Sequence, residues 1–152
     1  MTSDDVKLLL IRGLPGSGKT TLAEVMAKAG YEHYETDQYF YREGVYRREA
    51  SELSKAHAWC LESVRESLSR GARCVVSNTF TKIWEMKPYL ELVKTVGDTV
   101  LVLEAQGTWV NVHGVPGWKI DQMRERWQSI EANSLPGWTV NSHRVTTVLN
   151  KI

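Results

Sequence analysis

The feature that most constrains the fold is a glycine-rich segment that directly follows a short apolar run. The run spans Val6–Arg12, and Gly13-Leu-Pro-Gly-Ser-Gly-Lys-Thr20 comes next. This segment matches G-x-x-x-x-G-K-[ST], in which glycines leave space for backbone amides to converge on phosphate oxygens. A nearly continuous apolar run is typical of a strand covered on both faces in a parallel sheet. The two features together predict a phosphate-binding loop between a strand and a helix.

The loop and the start of the following helix supply the candidate nucleotide ligands. The candidates for cofactor binding are Gly13, Leu14, Pro15, Gly16, Ser17, Gly18, Lys19, Thr20 and Thr21. Lys19 has the length to reach β- and γ-phosphates and is a candidate catalytic residue, while the Thr20 hydroxyl is placed to bind magnesium. A helix that begins near Gly18 adds its partial positive charge. We therefore expect ATP and Mg²⁺ as cofactors, with Thr20 as the metal ligand.

The rest of the chain alternates apolar, strand-like runs with amphipathic helices. Further strands are expected at about 31–35, 72–78, 99–105 and 143–149, and helices at about 49–70, 84–96 and 120–130. Such alternation predicts right-handed crossovers and an open parallel sheet. A length of 152 residues suits one domain. We therefore predict a single domain over residues 1–152 with a three-layer α/β fold and a parallel sheet of about five strands.

Charge and cysteine content restrict the partners. A formal net charge of +1 argues against wrapping long duplex DNA by charge alone, although a local basic cleft stays possible. Cys60 and Cys74 fit neither a metal site nor a disulfide framework, and we expect buried free thiols in a reducing compartment. No apolar stretch has the length of a membrane span, and no leader-like segment opens the chain. We expect a cytoplasmic protein without a membrane partner; the oligomeric state is left open.

Asp37 is a candidate acid–base group because it follows the second predicted strand. Ligands of open α/β sheets bind beyond the carboxyl ends of the strands. A carboxylate there can orient and deprotonate an attacking hydroxyl. The alternative is that Asp37 caps a helical turn at Gln38–Arg42.

The third predicted strand ends in Ser77-Asn78-Thr79. Many proteins with this type of loop have an aspartate at the first of these positions, which holds the water shell of magnesium. Ser77 cannot supply that charge. Either Asn78 and Thr79 hold the shell through neutral dipoles, or another carboxylate does so. Asn78 is also a candidate for binding the substrate.

Basic and aromatic residues are interleaved just after Asp37. The cluster contains Arg42, Arg47, Arg48, Tyr39, Phe40, Tyr41 and Tyr46. Such a mixture suits a nucleic-acid strand, with arginine on phosphates and rings under bases. Arg42 and Arg47 are therefore candidate substrate-binding residues. A solvated, partly amphipathic loop would have the same composition.

Several of these segments together resemble a known family. They are Arg12–Ala23, Thr36-Asp37, Ala56–Trp59, Asn78-Thr79, Trp84–Tyr89, His113–Val115 and Met123–Arg126. The set resembles the small AAA-type P-loop kinases of phages and bacteria. That group is similar to the 5′-hydroxyl kinase domain of phage polynucleotide kinase and to the animal NEDD4-binding-protein-like kinases. The resemblance covers about Leu8 to Trp127.

The resemblance implies roles for residues that the motifs do not assign. Asp37 matches the aspartate that acts as general base toward the acceptor hydroxyl. A lid over the phosphates is implied at about 107–118. Family members often carry phosphate-clamping arginines just before the His-Gly-Val stretch, where this chain has Trp109 and Val110.

The missing lid arginines require a substitute if the reaction is fast. Arg124 and Arg126 on the following helix are the catalytic candidates, and His113 with Lys119 is another possibility. Arg124 and Arg126 could equally form a solvated helix face. Trp109, Trp118 and Trp138 are expected in loops, where a ring could stack on a base; the alternative for each is core packing or loop anchoring.

Three functions are compatible with these residues. The first is a kinase acting on nucleic acid, on a 5′-hydroxyl end or on a hydroxymethylated pyrimidine such as 5-hydroxymethyluracil in phage DNA, which places the protein in the host cytoplasm if it is phage-encoded. The second is a kinase of a nucleoside, sugar or antibiotic. The third is a nucleotide-dependent binding module with little turnover.

Overall fold

A computed structural model describes residues 6–94, 96, 97, 99–107 and 114–152. The strands are β1 (Leu8–Arg12), β2 (Tyr31–Tyr34), β3 (Tyr41–Arg42), β4 (Val45–Tyr46), β5 (Arg73–Asn78), β6 (Thr99–Glu104), β7 (Trp138–His143) and β8 (Thr146–Lys151). The α-helices are α1 (Lys19–Lys28), α2 (Leu53–Ser69), α3 (Ile83–Val93) and α4 (Gly117–Glu125). Short 3-10 turns cover Thr36–Phe40 and Ala50–Glu52.

The main sheet has six strands in the order β2-β5-β1-β6-β8-β7. The first four are parallel, whereas β8 is antiparallel to both β6 and β7. The predicted three-layer α/β fold is confirmed. The sheet is larger than the expected five strands, and its last two strands depart from the parallel arrangement.

The antiparallel edge has a simple physical cause. The strand expected at 143–149 is divided by a turn in which Arg144 adopts a positive φ of 56°. Strands joined by a short turn can only pair antiparallel, because a parallel connection needs a crossover of a dozen or more residues. The predicted strand is therefore the second arm of a hairpin whose first arm, β7, has no continuous apolar signal.

The core lies on both faces of the sheet because β1 alternates its side chains between them. Leu8 and Leu10 pack on the side of α2 and α3, whereas Leu9 and Ile11 pack on the side of α1 with Ala23. The predicted free thiols, Cys60 and Cys74, are confirmed as buried and unpaired. Within the described ranges, no helix combines the length and apolar character needed to cross a membrane.

Arg12 connects the end of β1 to two distant segments. Its side chain is buried and donates to the Phe80 carbonyl from Nε at 3.0 Å and to the Gln128 carbonyl from Nη2 at 2.8 Å. Its guanidinium also lies 4.0 Å from the centre of the Trp127 ring. Burial lowers the pKa of Arg12 to about 10, with Glu104 and Glu85 opposing the shift. The residue thus holds the chain after β5 and after α4 against the central strand.

We predict that Arg12→Met lowers the free energy of unfolding by roughly 3 kcal/mol, because the buried Phe80 carbonyl and the part-buried Gln128 carbonyl lose a charged donor. Urea denaturation followed by tryptophan fluorescence measures this change. The control is Arg65→Met, whose exposed side chain pairs with Glu62 at 3.0 Å and should change stability by less than about 0.5 kcal/mol. Equal effects of the two substitutions would contradict the role given to Arg12.

Candidate functional site

The carboxyl ends of the central strands lie at one level. Arg12 at the end of β1 is in register with Asn78 on β5 and with Glu104 on β6. Beyond that level, the Gly13 amide donates to the Thr79 carbonyl at 3.3 Å, and the Ala105 amide donates to the Arg12 carbonyl at 2.8 Å. The loops that follow these three strands are therefore joined where the glycine-rich segment begins.

The glycine-rich loop is closely packed at its base. A Cβ atom at Gly13 would overlap the Ser17 hydroxyl and would lie 2.9 Å from the Ala105 carbonyl oxygen. The Ser17 carbonyl also accepts from the Gly107 amide at 2.9 Å. Gly16 and Gly18 have φ values of 81° and 95°, in the left-handed region that favours glycine. The loop therefore requires glycine for space at Gly13 and for conformation at Gly16 and Gly18.

Helix α1 directs donors into the space that the loop encloses. Its first internal bond runs from the Leu22 amide to the Gly18 carbonyl at 3.1 Å. The amides of residues 19–21 precede that bond and have no helical carbonyl to donate to. Lys19 Nζ donates back to the Leu14 carbonyl at 3.1 Å, so its ammonium lies at the loop. Burial lowers the pKa of Lys19, while the carboxylates of Glu35 and Asp37 oppose the shift.

This donor set fits a nucleoside triphosphate with magnesium. It combines helix-start amides, one ammonium and the hydroxyl of Thr20, all near an anion-binding helix terminus. The Ser17 Oγ atom is buried with no hydrogen-bond partner among the described residues. The described ranges contain no group of three His, Cys, Asp or Glu side chains that could hold a metal ion. Magnesium would therefore depend on Thr20 together with phosphate and water oxygens.

Glu35 is a site residue that the sequence reasoning did not identify. Thr20 Oγ1 donates to Glu35 Oε2 at 3.2 Å, and Ser77 Oγ donates to the same oxygen at 3.3 Å. His33 Nε2 lies 2.8 Å from Ser77 Oγ. The sequence left open that another carboxylate compensates for Ser77. The available signal was the position of Glu35 directly after β2, at the same sheet edge as the loop.

Asp37 lies inside the 3-10 turn that follows β2. The N-cap residue of that turn is Glu35, so the alternative in which Asp37 caps a turn at residues 38–42 is wrong. Tyr46 Oη donates to Asp37 Oδ1 at 3.2 Å. Burial raises the pKa of Tyr46 to about 12, and Asp37 adds to the shift. At neutral pH the phenol therefore keeps the proton that it donates to Asp37.

Two side chains hold the turn in place through Thr36. The Thr36 amide donates to Asn78 Oδ1 at 2.9 Å, and its hydroxyl lies 3.2 Å from His57 Nδ1. These contacts join the turn to β5 and to α2. The Asn78 side-chain oxygen Oδ1 contacts the backbone next to Asp37, so Asn78 helps to position this turn.

The basic and aromatic cluster forms a small hairpin next to Asp37. Strands β3 and β4 pair antiparallel and are joined by a turn at Glu43 and Gly44, which have φ values of 51° and 80°. The rings of Tyr41 and Tyr46 have centroids 5.1 Å apart. The Arg42 guanidinium lies 5.1 Å from the Tyr39 ring centroid. We call residues 39–47 the aromatic hairpin.

Arg47 contributes to the aromatic hairpin through its backbone. Its amide donates to the Phe40 carbonyl at 2.9 Å, which closes the segment, and its side chain is exposed. Tyr41 is 47% exposed on the same hairpin. The sequence left open a solvated loop at this place, and the segment is an ordered hairpin with an accessible ring and accessible arginines.

The two candidate arginines near the end of α4 have different surroundings. Arg124 donates to Asp121 Oδ1 at 2.8 Å on its own helix, and its side chain is 63% exposed. Arg126 Nε donates to Thr81 Oγ1 at 3.2 Å. Thr81 lies two residues after Thr79, whose carbonyl accepts from the Gly13 amide of the glycine-rich loop. Arg124 has the surroundings of a solvated helix face, whereas Arg126 reaches the carboxyl end of the sheet.

Half of the expected lid, residues 108–113, falls outside the described residues. Trp109, Val110 and His113 lie there, so their predicted roles stay predictions. Trp118 is 66% exposed in the first turn of α4. Trp138 is buried on β7 and packs in the core, so its expected loop position is wrong.

Comparison with known proteins gives one family. The AAA domain family matches residues 8–108. The human NEDD4-binding protein 2 is 35% identical over 133 residues, which cover 80% of this chain and only 8% of that protein. This chain thus spans a small part of that relative.

Solved structures agree on the fold. A gluconokinase from Sinorhizobium meliloti is 18% identical with a TM-score of 0.59, covering 85% of this chain and 79% of the neighbour. The Pnkp1/Rnl/Hen1 RNA repair complex contains a chain that is 14% identical with a TM-score of 0.55, covering 88% of this chain and 42% of the other. At these identities the likeness shows the α/β P-loop kinase fold.

We predict that Gly13→Ala destabilises the loop and weakens nucleotide binding, because the added methyl overlaps Ser17 and the Ala105 backbone. The cost expected for such overpacking is about 1–3 kcal/mol. Thermal unfolding with and without an ATP analogue measures both effects. The control is Gly117→Ala, where a Cβ meets no heavy atom of the described residues within 4 Å. A Gly13→Ala protein with normal stability and affinity would contradict the packing argument.

Proposed function

This chain belongs to the AAA domain family, and we propose that it is an ATP- and magnesium-dependent kinase that transfers the γ-phosphoryl group to a hydroxyl on nucleic acid. The observation that carries the proposal is the position of Asp37. Asp37 follows β2 at the sheet edge where the glycine-rich loop (residues 13–20, the P-loop) lies, and its carboxylate accepts from Tyr46 on the aromatic hairpin. Its charge also opposes the lowering of the Lys19 pKa.

The phosphates are held by the P-loop in this proposal. The helix-start amides and Lys19 neutralise the triphosphate, and Thr20 binds the metal ion. Magnesium, when bound with the nucleotide, neutralises charge on the phosphate oxygens. Positioning and charge neutralisation supply most of the catalysis in phosphoryl transfer. The P-loop residues therefore act in this proposal by binding the phosphates and by neutralising their charge.

Asp37 accepts the proton of the acceptor hydroxyl as that oxygen forms a bond to the γ-phosphorus. The bond from this phosphorus to the β–γ bridging oxygen breaks, and ADP is the leaving group. The hydrogen bond from Tyr46 orients one carboxylate oxygen, and Asn78 fixes the turn through Thr36. Arg126, rather than Arg124, is the side chain whose position favours a contact with the transferred phosphoryl group, because its guanidinium lies at the carboxyl end of the sheet.

The aromatic hairpin supports a nucleic-acid acceptor. Tyr41 presents an accessible ring for a base, and Arg42 and Arg47 present charge for backbone phosphates. The acceptor is a 5′-hydroxyl end or the hydroxymethyl group of a modified pyrimidine such as 5-hydroxymethyluracil in phage DNA. The structural neighbour from an RNA repair complex is consistent with this class. A sugar or nucleoside acceptor would need the same P-loop and Asp37 but not the hairpin.

The experiment is transfer of radiolabelled γ-phosphate from ATP with magnesium. The acceptors are a single-stranded oligonucleotide with a 5′-hydroxyl, the same oligonucleotide with a 5′-phosphate, a duplex containing 5-hydroxymethyluracil, and a panel of sugars and nucleosides. We expect label on one of the nucleic acids. Label on small molecules alone would replace the proposal by a metabolite kinase, and tight ATP binding without any transfer would indicate a binding module.

Two variants separate binding from chemistry in this assay. Lys19→Ala should lose most nucleotide binding or turnover. Asp37→Asn should keep nucleotide binding, measured by calorimetry, and should lose about 10²–10⁴-fold in rate, the usual contribution of a general base. A near-normal rate of the Asp37→Asn protein would exclude this base assignment.

We predict that the double substitution Tyr41→Ala/Arg42→Ala raises the KM for the nucleic-acid acceptor about tenfold, because one stacking contact and one charge are lost. The KM for ATP should stay unchanged, since neither side chain is part of the P-loop. Steady-state kinetics at varied acceptor and ATP measures the two constants separately. Arg65→Ala, which removes an exposed arginine from α2, is the control. An unchanged acceptor KM would argue against a nucleic-acid surface on the hairpin.

A further inference from the structure

Four side chains form one connected set of hydrogen bonds beside the P-loop. Thr20 and Ser77 both direct their hydroxyls to Glu35 Oε2, at 3.2 and 3.3 Å. His33 continues the set with Nε2 at 2.8 Å from Ser77 Oγ, and the same nitrogen lies 3.9 Å from Glu35 Oε1. The set spans the first turn of α1 and the ends of β2 and β5, which are three separate parts of the chain.

The single proton of each hydroxyl determines how the set is arranged. A hydroxyl has one donor and two lone pairs. When Thr20 donates its proton to Glu35, the lone pairs of its oxygen stay available for a cation. Ser77 also directs its proton to Glu35, an arrangement that goes with the His33 tautomer that carries its proton on Nε2 and donates it to the Ser77 oxygen. Glu35 therefore accepts a hydrogen bond from each of the two hydroxyls.

The other polar groups at this edge have different partners. The Asn78 side-chain oxygen accepts from the Thr36 amide, and Asp37 accepts from Tyr46. Ser77 has no charge of its own. In the part of the chain that the structure describes, Glu35 is the carboxylate that contacts the predicted metal ligand Thr20. It is half-buried, so its charge is less screened than that of a fully exposed group.

We infer that Glu35 supplies the carboxylate that positions Thr20 and the magnesium-bound water shell, the task for which β5 has only Ser77. The inference rests on the proposed nucleotide site. Glu35 is a positioning residue, because it acts through the Thr20 hydroxyl and through water. The carboxylate is thus provided by the residue that follows β2. It lies next to the end of β5, where the Ser77 hydroxyl donates to it.

The test measures metal binding in the absence of turnover. Mn²⁺ is titrated into the protein with a non-hydrolysable ATP analogue, and free Mn²⁺ is followed by electron paramagnetic resonance. We expect Glu35→Gln to raise the Mn²⁺ dissociation constant of this complex about tenfold. Calorimetry in EDTA should show an affinity for the analogue at least equal to that of the wild type, because a negative charge near the phosphates has been removed. This second measurement also shows that the variant is folded.

Two further variants make the test specific. Glu24→Gln removes an exposed carboxylate on α1 that also acts electrostatically on His33, and it should leave the Mn²⁺ constant unchanged. The double variant Glu35→Gln/Ser77→Asp returns a carboxylate to the end of β5 and should recover Mn²⁺ binding to within about threefold.

The outcomes separate this inference from the proposed function. If the wild-type protein binds the analogue with Mn²⁺ and Glu35→Gln binds Mn²⁺ equally well, the role of Glu35 is overturned while the nucleotide site stands. An equal loss in Glu24→Gln would also overturn it, since a general charge effect would then explain the result. If the wild-type protein binds no nucleotide, the proposed function itself is overturned.

Discussion

The structure depends on the in-register pairing of β1 with β5 and β6. This pairing brings Arg12, Asn78 and Glu104 to one level, so the loops that follow the three strands meet beyond it. The P-loop can close there only because Gly13 has no side chain beside the Ser17 hydroxyl and the Ala105 carbonyl. The backbone amides of the P-loop are therefore positioned by strand pairing and close packing.

At this edge of the sheet, two carboxylates that are two residues apart in sequence have different partners. Glu35 contacts Thr20 and Ser77, whereas Asp37 contacts Tyr46 on the aromatic hairpin. Thr36 between them is held by Asn78 and His57, so the turn cannot rotate without breaking contacts to β5 and α2. In the proposed reaction the two acidic groups therefore have different tasks, Glu35 toward the metal shell and Asp37 toward the acceptor.

Several differences between expectation and structure come from contacts and turns that composition and periodicity do not distinguish. The sequence made Arg124 and Arg126 candidates for the same role, yet Asp121 pairs with the first and Thr81 accepts from the second. Residues 39–47 could be a solvated loop by composition, but ring contacts and a turn with positive φ make a hairpin. The strand expected at 143–149 is divided by Arg144, and the resulting hairpin must be antiparallel.

The sequence by itself determined the P-loop, the alternation of strands and helices, and the position of Asp37 after the second strand. These features are local, because glycine spacing, apolar periodicity and order along the chain do not depend on distant contacts. The carboxylate that lies beside Ser77 is visible only in the folded chain. Glu35 and Ser77 are 42 residues apart and meet through the parallel pairing of β2 with β5. This contact depends on strand order and register, which local sequence patterns do not predict.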